Sequence, residues 1–225
     1  METGGSSDII LYSYWRSSCS YRLRIAFSLK NIKYEYKAVN LVNDGGEQKK
    51  PEYLKLNPQG YLPALVIDGH TLAESMPIIE YIEENHTGDR PLFPSDPYLK
   101  FKTRQICEII NSGTQPIQNL SVLKKIKEDY SGDANAWSKY WITKGLKSVE
   151  DVLTETKGQF CVGDEVTAAD CFLVPQIYNA NRFEVDMDQF PNIKEVMSHL
   201  EEMDEVKKAH PDQMPDAPQA EQSSV

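Results

Sequence analysis

The chain has 225 residues, 40% of them hydrophobic, and a formal net charge of −10. That length suits one large domain or two small ones with a buried core, and the acidic balance argues against the basic surface that nucleic-acid binding needs. No apolar run approaches the ~20 residues needed to cross a bilayer, and the opening METGGSSD has no basic patch leading into an apolar stretch, so neither a membrane span nor a secretory leader is expected.

Ile9-Ile10-Leu11-Tyr12 is a short run of strand-forming residues that ends near the polar Arg16-Ser17-Ser18. From Ser20 the apolar positions Leu23, Ala26, Phe27 and Leu29 recur at helical spacing. Tyr34, Tyr36 and Ala38 alternate with Glu35 and Lys37, the period of a second strand. A Gly-rich loop at Asp44-Gly45-Gly46 and a turn at Asn57-Pro58-Gln59-Gly60 follow. Asp68-Gly69 then separates Leu62–Ile67 from His70-Thr71-Leu72, a strong hairpin signal because such a turn needs positive φ. Ser75 is placed to cap the next helix, with Pro77 tolerated in its first turn and Ile78, Ile79 and Ile82 on its apolar side.

The order strand, helix, strand, hairpin, helix predicts an α+β fold that begins with a thioredoxin-like mixed sheet (βαβ-ββα) over residues 1–85. Pro91, Pro94 and Pro97 mark 86–97 as a linker. Beyond it no stretch alternates, and Ile106, Ile109, Ile110, Trp137, Trp141, Leu146, Val149 and Leu153 keep a helical rhythm, so 98–210 is expected to be an all-helical bundle domain. The segment 211–225, with three prolines and small polar residues, is expected to be a disordered or surface-laid tail from His210 onward.

Four cysteines (Cys19, Cys107, Cys161, Cys171) are scattered without metal-ligand spacing, and the four histidines lie far from them. No metal site is expected, and reduced thiols point to a reducing compartment, the cytoplasm. At the first strand–helix junction stands Ser17-Ser18-Cys19-Ser20, where thioredoxin-like redox enzymes carry Cys-x-x-Cys. Hydroxyls at both ends argue against dithiol exchange, whereas the unpaired amides of a helix N-terminus favour an external thiolate. Ser17 can donate a hydrogen bond to that sulfur, or else Ser17 or Ser18 is a plain helix cap. Cys19 is either an activated thiol or a packing residue. Pro63, entering a strand, needs an edge or a special turn. Glu74-Ser75 is either a helix start or a pair that holds an amino group and a carboxylate. For Asp170 the reading is a folding role, returning a hydrogen bond to Thr167 at a helix start.

These segments occur in one order, and with them the chain resembles the zeta class of cytosolic glutathione transferases. The residues that carry the resemblance are the run from Ser17 to Ala26, the run Gln115-Pro116-Ile117-Gln118-Asn119-Leu120-Ser121-Val122-Leu123, and the run from Val162 to Asp170. The first two are specific for the class and the third is shared across transferases; the likeness extends from about residue 9 to the Pro-rich tail. It implies glutathione as cofactor, bound at Ser17, Ser18, Cys19, Gln48, Leu62, Glu74, Ser75, Gln115, Asn119 and Ser121, with Ser20, Tyr21, Arg22 and Leu120 in the same motifs. Ser17 matches the hydroxyl that activates the glutathione sulfur, Ser18 and Cys19 its catalytic neighbours, and Arg182 a position that meets a substrate carboxylate. Leu62 stands where valine is frequent and Glu74 where glutamine occurs.

The activity implied is the glutathione-dependent isomerisation of maleylacetoacetate to fumarylacetoacetate, a step of tyrosine and phenylalanine catabolism, together with glutathione transferase activity. A detoxifying transferase or dehalogenase acting on small electrophiles and α-halo acids is the alternative with the same addition step. A non-catalytic assembly module is the alternative from another class, and the retained ligand residues argue against it. The resemblance also implies a homodimer, with small molecules as the other partners and neither nucleic acid nor membrane among them.

Overall fold

A computed structural model describes residues 9–86 and 90–218. The chain forms two compact units: one runs to Ile82 and takes back the chain from Glu205, and the other is Glu83–Asp204.

The first unit is built on four strands, β1 (Ile10–Ser13), β2 (Glu35–Ala38), β3 (Ala64–Ile67) and β4 (His70–Ala73), in the order β2-β1-β3-β4. β1 and β2 are parallel, in the register Ile10 to Glu35, and the helix α1 (Ser18–Leu29) supplies the crossover that parallel neighbours need. β3 runs antiparallel to both β1 and β4, and the β3–β4 turn is the expected hairpin, with Asp68 and Gly69 at φ 52° and 75°. Leu11, Leu65 and Ile67 from the sheet, Leu23, Ile25 and Phe27 from α1, and Ile78, Ile79 and Ile82 from α3 (Ser75–Asn85) are buried to within 1%. Each such side chain contributes about 1.5–3 kcal/mol. Between β2 and β3 lie two single 3₁₀ turns and the short α2 (Pro51–Leu54). Tyr53 of α2 packs with Tyr14, Val39, Leu62 and Ala64 in a small core under one end of the sheet.

The second unit holds α4 (Pro97–Asn111), α5 (Leu120–Tyr130), α6 (Ala134–Thr156), α7 (Ala168–Arg182) and α8 (Pro191–Leu200), with α4 packed on α6 and α7. Local chemistry starts most of these helices. The side chains of Asp96, Asn119 and Asp133 accept backbone N–H groups at the starts of α4, α5 and α6. α8 follows Phe190, which has no capping oxygen, and Glu150 of α6 does that work from a distance. Its carboxylate accepts the N–H groups of Asn192 and Ile193 at 2.8 and 2.9 Å.

The structure departs from the sequence reading at one helix start. Ser75 is the first residue of α3 and does not cap it; its hydroxyl is taken by Arg22, whose Nη1 donates at 2.9 Å. Of the two readings of the segment from His210, the structure has the surface-laid one through Ala217, with most residues exposed or half-buried. The segment follows α9 (Asp204–Ala209), buries Pro211 in a 3₁₀ turn, and places the Asp216 carboxylate against β1 and β2 through hydrogen bonds from Trp15 and Tyr36. A Pro-rich segment loses little further entropy on ordering, so a few such contacts hold it. Residues 219–225, the rest of the expected tail, lie outside the described residues.

Candidate active site

The register collects the candidate residues of the first unit at one end of the sheet. Tyr12 of β1 pairs with Ala64 of β3, and Ala64 pairs with Ala73 of β4. The end of β1 that leads to Ser17, the start of β3 that follows Leu62, and the end of β4 that leads to Glu74 and Ser75 are therefore neighbours. β2 is parallel to β1, so its exit toward Gln48 leaves from the same end.

Ser17 is the N-cap of α1, extended at φ −70° and ψ 114°, and its Oγ accepts the Ser20 N–H at 3.2 Å. Both roles open to it in the sequence are compatible. A hydroxyl that accepts with its lone pair keeps its own proton to donate, and accepting a hydrogen bond strengthens that donor. The N–H groups of Ser18 and Cys19 fall in the first turn, where a helix has no internal acceptors for them, and the partial positive charge there favours an anion. Cys19 is half-buried; Cys107, Cys161 and Cys171 are fully buried, and burial pushes the Cys161 and Cys171 thiols up, away from thiolate chemistry.

The other candidates of this unit sit on held backbone. The peptide before Leu62 is gripped through the Tyr61 carbonyl, which accepts the Tyr53 hydroxyl at 2.6 Å and Asn57 Nδ2 at 3.0 Å. Burial pushes the Tyr53 phenol up, which keeps it a donor. The Leu62–Pro63 peptide is cis. Glu74 is exposed and takes φ 70°, a left-handed conformation that costs a residue with a side chain about 1–3 kcal/mol and turns the chain sharply from β4 into α3. Gln48 lies in a loop closed by Glu47, whose carboxylate accepts the Asn40 N–H at 2.7 Å while its own N–H donates to the Asn40 carbonyl at 2.7 Å. The Gln48 Oε1 atom is buried and has no hydrogen-bond partner among the described residues. That acceptor is suited to an incoming N–H, and with the open amides of α1 and the Ser17 hydroxyl it fits a small peptide thiol such as glutathione.

The arginines that looked alike in sequence separate here. Arg22 and Arg24 are each 1% exposed and occupied inside the unit, Arg22 with Ser75 and Arg24 with four backbone and hydroxyl oxygens. Burial pushes the Arg24 guanidinium below its ordinary value, and Tyr36, Tyr34, Tyr21 and Asp216 oppose that shift. Arg16 is half-buried with its guanidinium 5.3 Å from the centre of the Trp15 ring. Tyr21 and Ser20 are also buried, facing the unit's interior.

Gln115, Asn119, Leu120, Ser121 and Arg182 belong to the helical unit. Gln115 is half-buried at the start of a 3₁₀ turn, its N–H donating to Ile110. Asn119 caps α5 by accepting the Ser121 N–H at 3.0 Å and the Ser121 hydroxyl at 2.8 Å, and Leu120 is exposed. Arg182 ends α7, exposed and stacked on Phe183. Asp170 is fully enclosed; it accepts the Cys161 N–H at 2.9 Å, the Thr167 N–H at 2.8 Å and the Thr167 hydroxyl at 3.1 Å. Sequence reasoning missed Asp216, for which no local signal exists. Among the described residues no group of three or more His, Cys, Asp or Glu is arranged to hold a metal ion, and no helix is long and apolar enough to cross a membrane.

Residues 16–85 match the model of the glutathione S-transferase N-terminal domain, and residues 117–209 that of the C-terminal domain. The chain is 50% identical over 211 residues to a maleylacetoacetate isomerase of Dictyostelium discoideum, covering 92% of this chain and 95% of that protein. Its structure is similar to that of a bacterial maleyl pyruvate isomerase described as a zeta-class glutathione S-transferase. The TM-score is 0.89 at 36% identity, over 93% of this chain and 100% of the other. It is also similar to a maleylacetoacetate isomerase of Anaeromyxobacter dehalogenans with glutathione bound in its active site. Here the TM-score is 0.84 at 40% identity, over 93% and 98% of the two chains.

Proposed function

The chain belongs to the zeta class of the glutathione S-transferase family, and from that premise we propose that it is a maleylacetoacetate isomerase that uses the Ser17 end of its sheet to hold glutathione. The observation that carries the reading is the Ser17 cap. It sets a hydroxyl donor and two open helix amides at the sheet end that also gathers Gln48, Leu62, Glu74 and Ser75.

Bound there, glutathione supplies a thiolate that adds to the cis double bond of the substrate and leaves once the bond has rotated. The protein's part is positioning and electrostatics. Ser17 donates its hydroxyl hydrogen to the sulfur while the Ser20 N–H holds its oxygen in place, and the Ser18 and Cys19 amides add positive potential. Leu62 offers backbone groups to an extended peptide, Gln48 an amide oxygen, Glu74 a carboxylate for an ammonium group, and Ser75 a place at the α3 N-terminus. Arg22 contributes through Ser75, which it fixes. Of the three arginines near Ser17, Arg16 is the one left half-open; Arg182 of the helical unit is proposed to bind a substrate carboxylate, with Gln115, Asn119, Leu120 and Ser121 as further glutathione contacts. A cytoplasmic homodimer is the setting this family membership supports.

The test is glutathione-dependent isomerisation of maleylacetone by wild type, Ser17→Ala and Cys19→Ala. Ser17→Ala is expected to lower kcat by about 10²–10³-fold, the scale of one lost donor at a developing charge, with Cys19→Ala affected less. Undiminished turnover in Ser17→Ala would refute the serine's role. A wild-type protein that binds glutathione and conjugates haloacids without isomerising maleylacetone would refute the isomerase assignment.

A further inference from the structure

The turn that presents Ser17 is held by the far end of the chain. Its peptides have few partners of their own: after β1 ends at Ser13, the Ser17 N–H donates to the Tyr14 carbonyl at 2.9 Å and closes a single turn. The Val39 N–H donates to the Ser13 carbonyl at 2.8 Å and α1 begins at the Ser17 carbonyl and hydroxyl; the further hydrogen bonds come from Arg24 and from residues beyond 205. Arg24 Nη2 donates to the Trp15 carbonyl at 3.0 Å, and Nη1 to Ser13 Oγ at 3.3 Å and to the Tyr14 carbonyl at 3.4 Å. Its Nε donates to the Ala209 carbonyl at 3.0 Å and so ties α9 to the same turn. On the other side of Trp15, its N–H donates to Asp216 Oδ2 at 3.0 Å. The second oxygen of that carboxylate, Oδ1, accepts the Tyr36 hydroxyl of β2 at 2.7 Å.

Trp15 is thus clamped on both sides, the peptide before it through its N–H and the peptide after it through its carbonyl, two residues before the proposed sulfur-binding hydroxyl. An N–H at a strand exit is ordinarily left to water or to a side chain a few residues away. Here it is met by a carboxylate 201 residues distant, whose two oxygens join the exit of β1 to the Tyr36 side chain of β2. We propose that Asp216 is a positioning residue for catalysis, setting the Tyr14–Ser17 turn so that the Ser17 hydroxyl meets the glutathione sulfur. The assignment rests on the reading of Ser17 given above.

The experiment uses full-length protein: wild type, Asp216→Ala, Asp216→Asn and Tyr36→Phe. Three quantities are read, namely kcat for maleylacetone isomerisation, the pKa of enzyme-bound glutathione from its ultraviolet thiolate absorbance, and the thermal midpoint. Asp216→Ala removes both hydrogen bonds. It should lower kcat about tenfold or more, the scale of a small misplacement of a reacting group, and raise the bound thiol pKa by roughly one unit. Asp216→Asn should restore most of both, because its amide oxygen accepts the Trp15 N–H while its NH₂ donates to the Tyr36 oxygen, which can reverse its role. Tyr36→Phe should show a smaller change in the same direction, and it carries the test should Asp216→Ala fail to fold. Wild-type kcat and thiol pKa in Asp216→Ala, or in Tyr36→Phe where it stands in, would overturn the assignment. So would a fall in kcat with an unmoved thiol pKa, since a purely structural tether changes the folded fraction and not the bound sulfur. A wild-type protein that turns over normally beside an unaffected Asp216→Ala refutes Asp216 alone; a wild type that never binds glutathione refutes the reading of Ser17.

Discussion

Replacing Asp170 by alanine should unfold the helical unit readily while leaving the chemistry of any folded molecule intact. The carboxylate is enclosed and accepts three hydrogen bonds, two from the backbone N–H groups of Cys161 and Thr167 and one from the Thr167 hydroxyl. The hydroxyl can rotate toward another acceptor, but the two N–H groups cannot, and Cys161 and Thr167 are 0% and 2% exposed. Each orphaned buried donor costs about 1–3 kcal/mol, hence about 2–6 kcal/mol for the pair. Against this stands the desolvation of Asp170 itself: burial pushes its carboxyl up, opposed by the hydrogen bonds from Cys161 and Thr167, and alanine removes that cost. A net loss of about 3 kcal/mol follows, more than about a hundredfold in the folded-to-unfolded ratio. Urea unfolding followed through Trp137 and Trp141 of α6 reports on this unit. A loss under about 1 kcal/mol would refute the calculation. A tenfold or greater fall in kcat under conditions where the variant is fully folded would refute the structural role.

Gly145 of α6 should resist a substitution that normally helps a helix. Glycine to alanine gains about 1 kcal/mol in a helix interior, yet a Cβ here would lie 2.0 Å from Thr114 Oγ1 and 2.7 Å from its Cγ2. Thr114 is 1% exposed and anchored to the Ile109 carbonyl at 2.8 Å, so Gly145→Ala should destabilise by about 1–3 kcal/mol. Adding Thr114→Ala removes the contacts at 2.0 and 2.7 Å but leaves the Thr114 Cβ at 2.9 Å, so the pair should recover part of the loss in the same urea assay; no recovery would refute the clash. In the Gln48 loop, the Asn40 N–H and then Lys50 hold the Glu47 carboxyl below its ordinary value. Since its folded pKa is depressed, the contribution is present above the ordinary carboxylate pKa and is lost as pH falls through the lower folded value. The protection factor of the Asn40 amide should drop in that window and lose this dependence in Glu47→Gln. A wild-type protection factor that stays flat there would refute the role of Glu47.

How much of this was legible in the sequence depends on the distance over which each interaction acts. The Asp68-Gly69 hairpin, the Ser17 start of α1 and the Thr167–Asp170 contact all connect groups within a few residues, so residue type and spacing are enough to read them. The alternation of Tyr34, Tyr36 and Ala38 and the helical rhythm of α1 carried the fold class in the same way, since a period of two or of 3.6 is a local property of the backbone. The motif runs from Ser17 and from Gln115 likewise carry the family resemblance in residue types and spacing alone. What the sequence alone could not separate is three arginines within nine residues. Arg16, Arg22 and Arg24 have identical chemistry on paper, and only packing buries Arg22 against Ser75 and Arg24 among carbonyl oxygens while leaving Arg16 half-open. The same holds for Ser75, which has the residue type of a helix cap and becomes an acceptor for Arg22. Asp216 is the extreme case. A carboxylate in a Pro-rich terminal segment has no periodicity or neighbouring partner to mark it, and its role exists only because the chain returns to the sheet 201 residues after Trp15. Local interactions determine where strands, turns and helices begin, because their partners are fixed by chain connectivity; contacts between distant segments follow from how those elements bury their apolar faces, which only the assembled fold decides.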